Sequence, residues 1–253
     1  RAPGEGRAVQ LIAANIDTVF IVSSCNKDFN LARLERYLAL AYQAEATPVI
    51  LLTKADMAED PDHYVVQAQT LGVEVLALDA RSTEVSAALA PWCRRGQTVA
   101  FLGSSGVGKS TLVAALTGAE IATAGIREDD AKGRHTPTHR QLHLIPGGCA
   151  VLDTPGMREL QLTDAAEGLG DVFNDLTQLA TQCRFADCQH ETEPGCAVLH
   201  ALETGALDPA RLRRWRKLMA EDAHNTATLA ERRSRSKAFG KMYRRIQKEK
   251  RNR

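Results

Sequence analysis

Five short apolar, largely β-branched runs mark the first two thirds of the chain: "DTVFIVSS" (17–24), "TPVILLTK" (47–54), "GVEVLAL" (72–78), "QTVAFLG" (97–103) and "CAVLDT" (149–154). Each has the length of a strand buried on both faces of a parallel sheet. Helical periodicity lies between them. Leu31, Leu34, Tyr37, Leu38 and Ala41 share one helical face, and "KSTLVAALTG" (109–118) runs to a helix-ending glycine. This alternation predicts an open α/β sheet, mostly parallel, with helices on both faces. From about Ala166 the strand signals stop. "DVFNDLTQLA", "CAVLHALETG" and "DPARLRRWRKLMAEDA" read as helices, the last with Asp208 as N-cap and Pro209 in the first turn. The expected organisation is an α/β domain over 1–166, a helical domain over 167–230 and a C-terminal tail over 231–253. No internal repeat is visible. The polar stretch from Gly118 to Gln141 is long for a connection, which marks it as a functional loop.

Composition changes little except at the end. With 253 residues, 44% of them hydrophobic and 25% charged, the chain reads as a soluble globular protein. No apolar run approaches the roughly 18–20 residues of a membrane span, and neither a signal peptide nor an initial Met opens the chain. The net charge of +1 conceals an asymmetry: residues 231–253 hold eleven Lys/Arg against two Glu, a net +9 that leaves −8 on the rest. Such a tail is either an arm for a polyanion or a solvated terminus.

The chemistry begins at "GSSGVGKS" (103–110), which satisfies G-x-x-x-x-G-K-[ST] after an apolar strand and before a helix. Glycines there let successive N–H groups converge on a phosphate, and the helix N-terminus adds its dipole. Expected nucleotide contacts are Gly103, Ser104, Ser105, Gly106, Val107, Gly108, Lys109, Ser110 and Thr111. Lys109 is assigned to the β- and γ-phosphates, and Ser110 to Mg²⁺. "DTPG" (153–156) supplies Asp153 for the hydration shell of that ion and Gly156 for the γ-phosphate.

Upstream, "TKAD" (53–56) closes an apolar run. The Watson–Crick edge of guanine offers two donors, and the Asp56 carboxylate only accepts, so it selects GTP over ATP. Lys54 lies along the base in this reading, and Thr53 stands where an Asn more often braces neighbouring loops. The order is base reader, phosphate loop, metal carboxylate, whereas a Ras-like domain has its base reader last. Spatial convergence at the strand ends is all that binding needs, so a circular permutation preserves the site. The expected fold is therefore a circularly permuted P-loop GTPase domain followed by a small helical zinc-binding domain.

The zinc expectation comes from the six cysteines. Cys25, Cys93 and Cys149 are isolated and read as buried thiols. Cys183, Cys188, His190 and Cys196 follow C-x₄-C-x-H-x₅-C, a four-ligand set that fills a tetrahedral Zn²⁺ shell and so forms a structural site. His139, His143, His200 and His224 carry no assigned role.

The permuted order followed by that cluster resembles the bacterial small-subunit-dependent GTPase family RsgA, also called YjeQ. The likeness covers about residues 8–225 through "QLIAANIDTVFIV", "DFNLARLERYL", "PVILLTKAD", "FLGSSGVGKSTL", "GRHTPTHRQL", "DTPGMREL" and "CRFADCQHETEPGC". It implies a cytoplasmic, monomeric GTPase that binds GTP and GDP, docks on the small ribosomal subunit and its rRNA late in maturation, and is stimulated there. Three departures stand out. Residues 1–14 are too short for the family's N-terminal OB-fold. "LDARS" replaces a Ser-Ala guanine-contacting turn, and Pro137 interrupts the threonine-rich switch. That leaves Thr136 as first choice, and Thr138 as second, for the ligand of Mg²⁺ and the γ-phosphate. Met157 occupies the place where Ras-type switches carry a water-orienting Gln. His135, beside Thr136, is the candidate catalytic group; the alternative is a group supplied by the ribosome. Two rival functions fit the same motifs: an NTP-dependent RNA-binding chaperone with incidental hydrolysis, and a P-loop ATPase or kinase.

Overall fold

Each of the five apolar runs contains a strand in the computed structural model, which describes residues 14–118, 141–153 and 162–227. The chain divides into two compact units, Arg1–Glu159 and Leu160–Arg253. In the first, β1 (Thr18–Ser24), β2 (Thr47–Thr53), β3 (Glu74–Ala77), β4 (Thr98–Gly103), β5 (Gln141–Leu144) and β6 (Ala150–Asp153) form one sheet in the order β3-β2-β1-β4-β6-β5. Every pairing is parallel except β5 with β6. β1 is flanked by β2 and β4, so the chain reverses its winding direction there, the place where open α/β sheets bind ligands.

Helices cover both faces. Phe20, Val22, Val49, Leu51, Val99, Phe101 and Val151 form one core with Val85 and Leu89 of α3 (Val85–Leu89) and Leu112, Val113 and Leu116 of α4 (Lys109–Thr117). Residues alternate across a strand, so Val19, Ile21, Ile50 and Leu52 lie on the opposite face. There α1 (Leu31–Gln43) packs on β1 and β2, burying Leu34, Tyr37, Leu38 and Ala41, the face read from the sequence. Asn30 caps α1, its Oδ1 accepting the Arg33 N–H at 3.1 Å. Asp60 and Pro61 open α2 (Pro61–Gln69) in the same way.

The sheet also contains β5, a strand that the apolar pattern does not predict and that begins where the polar stretch ends, at Gln141. It is an edge strand whose Leu142 and Leu144 are exposed, and it turns into β6 through Gly147 and Gly148.

The second unit is helical: α5 (Ala166–Val172), α6 (Asn174–Thr181), α7 (Ala197–Glu203) and α8 (Pro209–Thr226). The stretch expected as one helix, "DVFNDLTQLA", is broken at Phe173, which is fully buried and separates α5 from α6. Asp208 caps α8, accepting the Ala210 N–H at 2.8 Å, with Pro209 at its start as expected. Arg211 of α8 forms a two-pronged pair with Asp175 of α6, both contacts at 2.7 Å, and its guanidinium lies over the Phe173 ring. The buried Asp222 accepts the Ala165 N–H at 3.0 Å, which fastens the entry of α5 to α8.

Candidate nucleotide site and metal centre

The phosphate loop leaves β4 at Gly103, where a Cβ would lie 2.3 Å from the Val22 carbonyl oxygen. Only glycine fits so close to β1. The loop then buries Val107 in the core and reaches Gly108, whose φ of +93° starts α4 at Lys109. The Lys109 ammonium turns back over the loop and donates to the Gly103 carbonyl at 2.7 Å and to the Ser104 carbonyl. Lys109 is buried, whereas Ser105 and Ser110 are exposed and Ser104 and Thr111 half-buried. The first N–H groups of α4 and a lysine thus converge on one small cradle, the arrangement that favours a polyphosphate.

Thr53 ends β2 beside this loop. It is fully buried, and its Oγ1 lies 2.6 Å from the Val107 carbonyl and 3.1 Å from the Ser23 carbonyl. A hydroxyl has one proton, and the shorter contact directs it to Val107. The brace expected of an Asn at this place is therefore made by a threonine. Lys54 follows in the left-handed region (φ +58°), which turns the chain so that Asp56 stands exposed in a single 3₁₀ turn, Ala55–Met57. A Cβ on Gly108 would lie 3.6 Å from Thr53 and 3.7 Å from Ala80. The loops after β2 and β3 and the phosphate loop thus meet at one point, and "LDARS" contributes Ala80 to it.

Asp153 closes β6 next to β4. His135, Thr136, Thr138, Gly156 and Met157, together with the tail 231–253, lie outside the described residues.

In the second unit, one donor atom from each of Cys183, Cys188, His190 and Cys196 lies within 4.8 Å of all the others. Tetrahedral Zn²⁺ with bonds of ~2.3 Å to sulfur and ~2.0 Å to nitrogen sets donor atoms about 3.5–3.8 Å apart. Observed separations are 3.8 Å between Cys183 and Cys196, and 3.5 and 3.4 Å from His190 Nδ1 to each of them. The residues fit zinc, with Nδ1 as the imidazole donor. Protonation states agree. Burial and the Arg216 guanidinium hold His190 below the usual imidazole value, so it is neutral and free to ligate. Burial pushes the Cys183 thiol up, but the Ala197 and Val198 N–H groups and the Cys196 and Cys188 thiols more than reverse this and leave it low. Burial and its thiol neighbours push Cys188 up to about 11. A dication bound there would favour the Cys188 thiolate that its neighbours resist.

Sequence reasoning missed what positions these ligands. His190 adopts φ +59°, and the loop around it closes on Glu193, whose carboxylate accepts N–H groups from Gln189, Glu191 and Thr192 at 2.8, 2.8 and 3.0 Å. Those bonds hold the Glu193 carboxyl down at about 2. Arg216 of α8 donates to the His190 carbonyl, Trp215 lies against its ring at 5.7 Å, and Cys196 caps α7. A lone Glu in a turn carries no signal of this kind.

The comparisons with known proteins agree with this geometry. A family model described as RsgA GTPase matches residues 1–163. The "Small ribosomal subunit biogenesis GTPase RsgA 2" of Vibrio vulnificus is 53% identical over 253 residues, covering 99% of this chain and 72% of the relative. The "Small ribosomal subunit biogenesis GTPase RsgA" of Mesorhizobium japonicum is 59% identical over 227 residues, 87% of this chain and 66% of the relative. Among solved structures, YjeQ from Thermotoga maritima superposes with a TM-score of 0.60 at 26% identity, covering 82% of this chain and 71% of that one. YloQ, titled a circularly permuted GTPase, does so with 0.60 at 28% identity, covering 85% and 70%. A TKAD loop that precedes the phosphate loop in sequence yet touches it in space, on a chain that the family model matches over residues 1–163 and that is more than half identical to the Vibrio vulnificus and Mesorhizobium japonicum proteins, has one reading: the chain belongs to the RsgA GTPase family.

Proposed function

We propose that the chain is a GTP-hydrolysing switch that binds the small ribosomal subunit and assists its late maturation. The observation that carries this is the hydrogen bond from Thr53 to Val107, which joins the guanine-reading loop to the phosphate loop across the centre of the sheet. Relatives named for small ribosomal subunit biogenesis support the partner.

In this reading Asp56 accepts both guanine protons while the Lys54 stem covers the base. The N–H groups from Gly103 to Thr111 and the Lys109 ammonium hold the phosphates. Lys109 swings from the carbonyls of Gly103 and Ser104 to the β- and γ-phosphates. Ser110, Thr136 and Asp153 would hold Mg²⁺, which supplies charge neutralisation at the phosphates when bound. Gly156 offers its N–H to the γ-phosphate, and His135 orients the attacking water. Zinc, one ion per chain, is structural, and the protein works as a cytoplasmic monomer. The +9 tail is a phosphate-binding arm for rRNA.

Co-sedimentation with each ribosomal subunit, in GDP and in a non-hydrolysable GTP analogue, tests the partner; selective binding to the small subunit is expected, and equal or absent binding overturns it. Lys109→Ala is expected to abolish turnover, and Asp56→Asn to erase the preference for GTP over ATP in competition. His135→Ala should keep GTP affinity and lose most subunit-stimulated turnover; a near-normal stimulated rate removes His135 from the mechanism.

A further inference from the structure

We infer that Cys183 and Cys196 are a site of reversible oxidation by hydrogen peroxide, at which a disulfide between them releases the zinc ion. The two side chains already stand together, their sulfurs 3.8 Å apart. The backbone holds them so. Arg184 donates its N–H to the Gly195 carbonyl at 3.1 Å, and a Cβ on Gly195 would lie 3.1 Å from the Arg184 Cβ, so the two ends of the metal loop meet immediately inside the two cysteines. Closing 3.8 Å to the ~2.05 Å of a disulfide then needs side-chain rotation more than backbone movement. Cys188 is tied differently, by its N–H to the Phe185 carbonyl at 3.3 Å, within the loop itself. Exposure gives the two cysteines different parts. Cys183 is half-buried and open to a small oxidant, whereas Cys196 is only 5% exposed and can react only with what lies beside it. An accessible thiolate next to a second sulfur is the arrangement of a sensing cysteine with its resolving partner.

Oxidation runs in two steps, starting from sulfurs that ligation keeps deprotonated. The Cys183 sulfur attacks one peroxide oxygen, the O–O bond breaks, and a sulfenic acid and a hydroxide result. The Cys196 sulfur then attacks the Cys183 sulfur, the S–O bond breaks, and a second hydroxide leaves as the disulfide forms. Two thiolates give up two electrons, peroxide takes them, and two solvent protons turn the hydroxides into water. Of the four donors only Cys188 and His190 remain, too few for a tetrahedral shell, so the ion is released. Helix α7 is loosened as well, because the Leu199 N–H lies 3.4 Å from the Cys196 sulfur, and a neutral disulfide sulfur accepts less well than a thiolate. The proposal rests on the zinc reading above, and adds a route by which an oxidant, rather than metal shortage, unmakes the second unit.

The test treats the full, zinc-loaded chain with hydrogen peroxide, follows released zinc with a chromogenic chelator, and maps disulfides by mass spectrometry after alkylation. Zinc release should match disulfide formation mole for mole, the bond between Cys183 and Cys196 should dominate the map, and Cys188 should stay open to alkylation. Dithiothreitol with added zinc should reverse both changes. Cys183→His keeps a possible ligand but removes the pair, and should slow release about tenfold or more, because it discards the intramolecular partner. Cys188→His should release zinc at the parent rate. Zinc that stays bound under peroxide sufficient to oxidise free dithiothreitol overturns the site. So does release without a disulfide, a bond that uses Cys188, or a Cys183→His chain that releases zinc as fast as the parent. Where either variant fails to hold zinc, the disulfide map of the parent chain decides. A purified chain without zinc would instead overturn the zinc reading, and the map of its oxidised form would still accept or reject the bond between Cys183 and Cys196.

Discussion

The two units solve the same problem with different materials. In the first, a continuous apolar sheet, with Phe20, Ile21, Leu51 and Phe101 all fully buried, supplies the cohesion, and the TKAD and phosphate loops follow the carboxyl ends of its central strands. The second has short helices, a smaller set of buried apolar residues, and four side chains, from a span of fourteen residues, whose donor atoms fit a zinc ion. Where apolar area is scarce, ligation and backbone-capping carboxylates take over. The fold of the first unit should therefore be indifferent to zinc, and that of the second should depend on it.

Removing zinc is the most direct way to break that contrast. A zinc-selective chelator with Mg²⁺ in excess, or Cys196→Ser, should melt the second unit while GTP still binds the first, with hydrogen exchange read separately for the two; loss of protection in both would show that they share one stability. Phe101→Ala acts in the reverse sense. A cavity at a fully buried aromatic costs about 3–5 kcal/mol, and thermal unfolding should show the loss in the first unit with zinc content unchanged.

A smaller effect sharpens the picture at the nucleotide site. Thr53→Val keeps the volume but leaves the Val107 carbonyl without its buried donor, a loss of about 1–3 kcal/mol, while Thr53→Ser should restore most of it. Guanine nucleotide affinity, measured alongside stability, should fall for valine and recover for serine. The smallest effect concerns Glu193. Its folded pKa of about 2 lies below the ordinary value of 4.5, so its contribution is complete above pH 4.5 and disappears as pH falls to 2. The stability difference between the parent and Glu193→Gln should follow that window; a difference independent of pH would mean that the carboxylate charge is not what the loop needs.

What could be read from the sequence follows the same division. Strands β1, β2 and β4 are visible because a strand buried on both faces must be apolar at every position, and the phosphate loop because its spacing leaves few other meanings. β5 escaped notice because an edge strand needs no such run: Leu142 and Leu144 are exposed, and the intervening His143 is polar. The break at Phe173 was hidden because Val172, Phe173 and Leu176 are all buried and continue an apolar pattern through the kink. The metal ligands were legible as a spacing. Glu193 and Arg216, which hold their loop through backbone groups, were not, since a side chain's choice of backbone partner leaves no periodic trace.

The permuted order also has a temporal side. On a ribosome, β1, β2 and β3 precede β4, so the second neighbour of β1 in the sheet arrives only with β4, beginning at Thr98. Until then the strand that ends up at the middle of the sheet is an open border, seven residues long and apolar over most of its length. Nascent chains halted before β4 should expose that border and stick to one another or to chaperones, and chains halted after α4 should not.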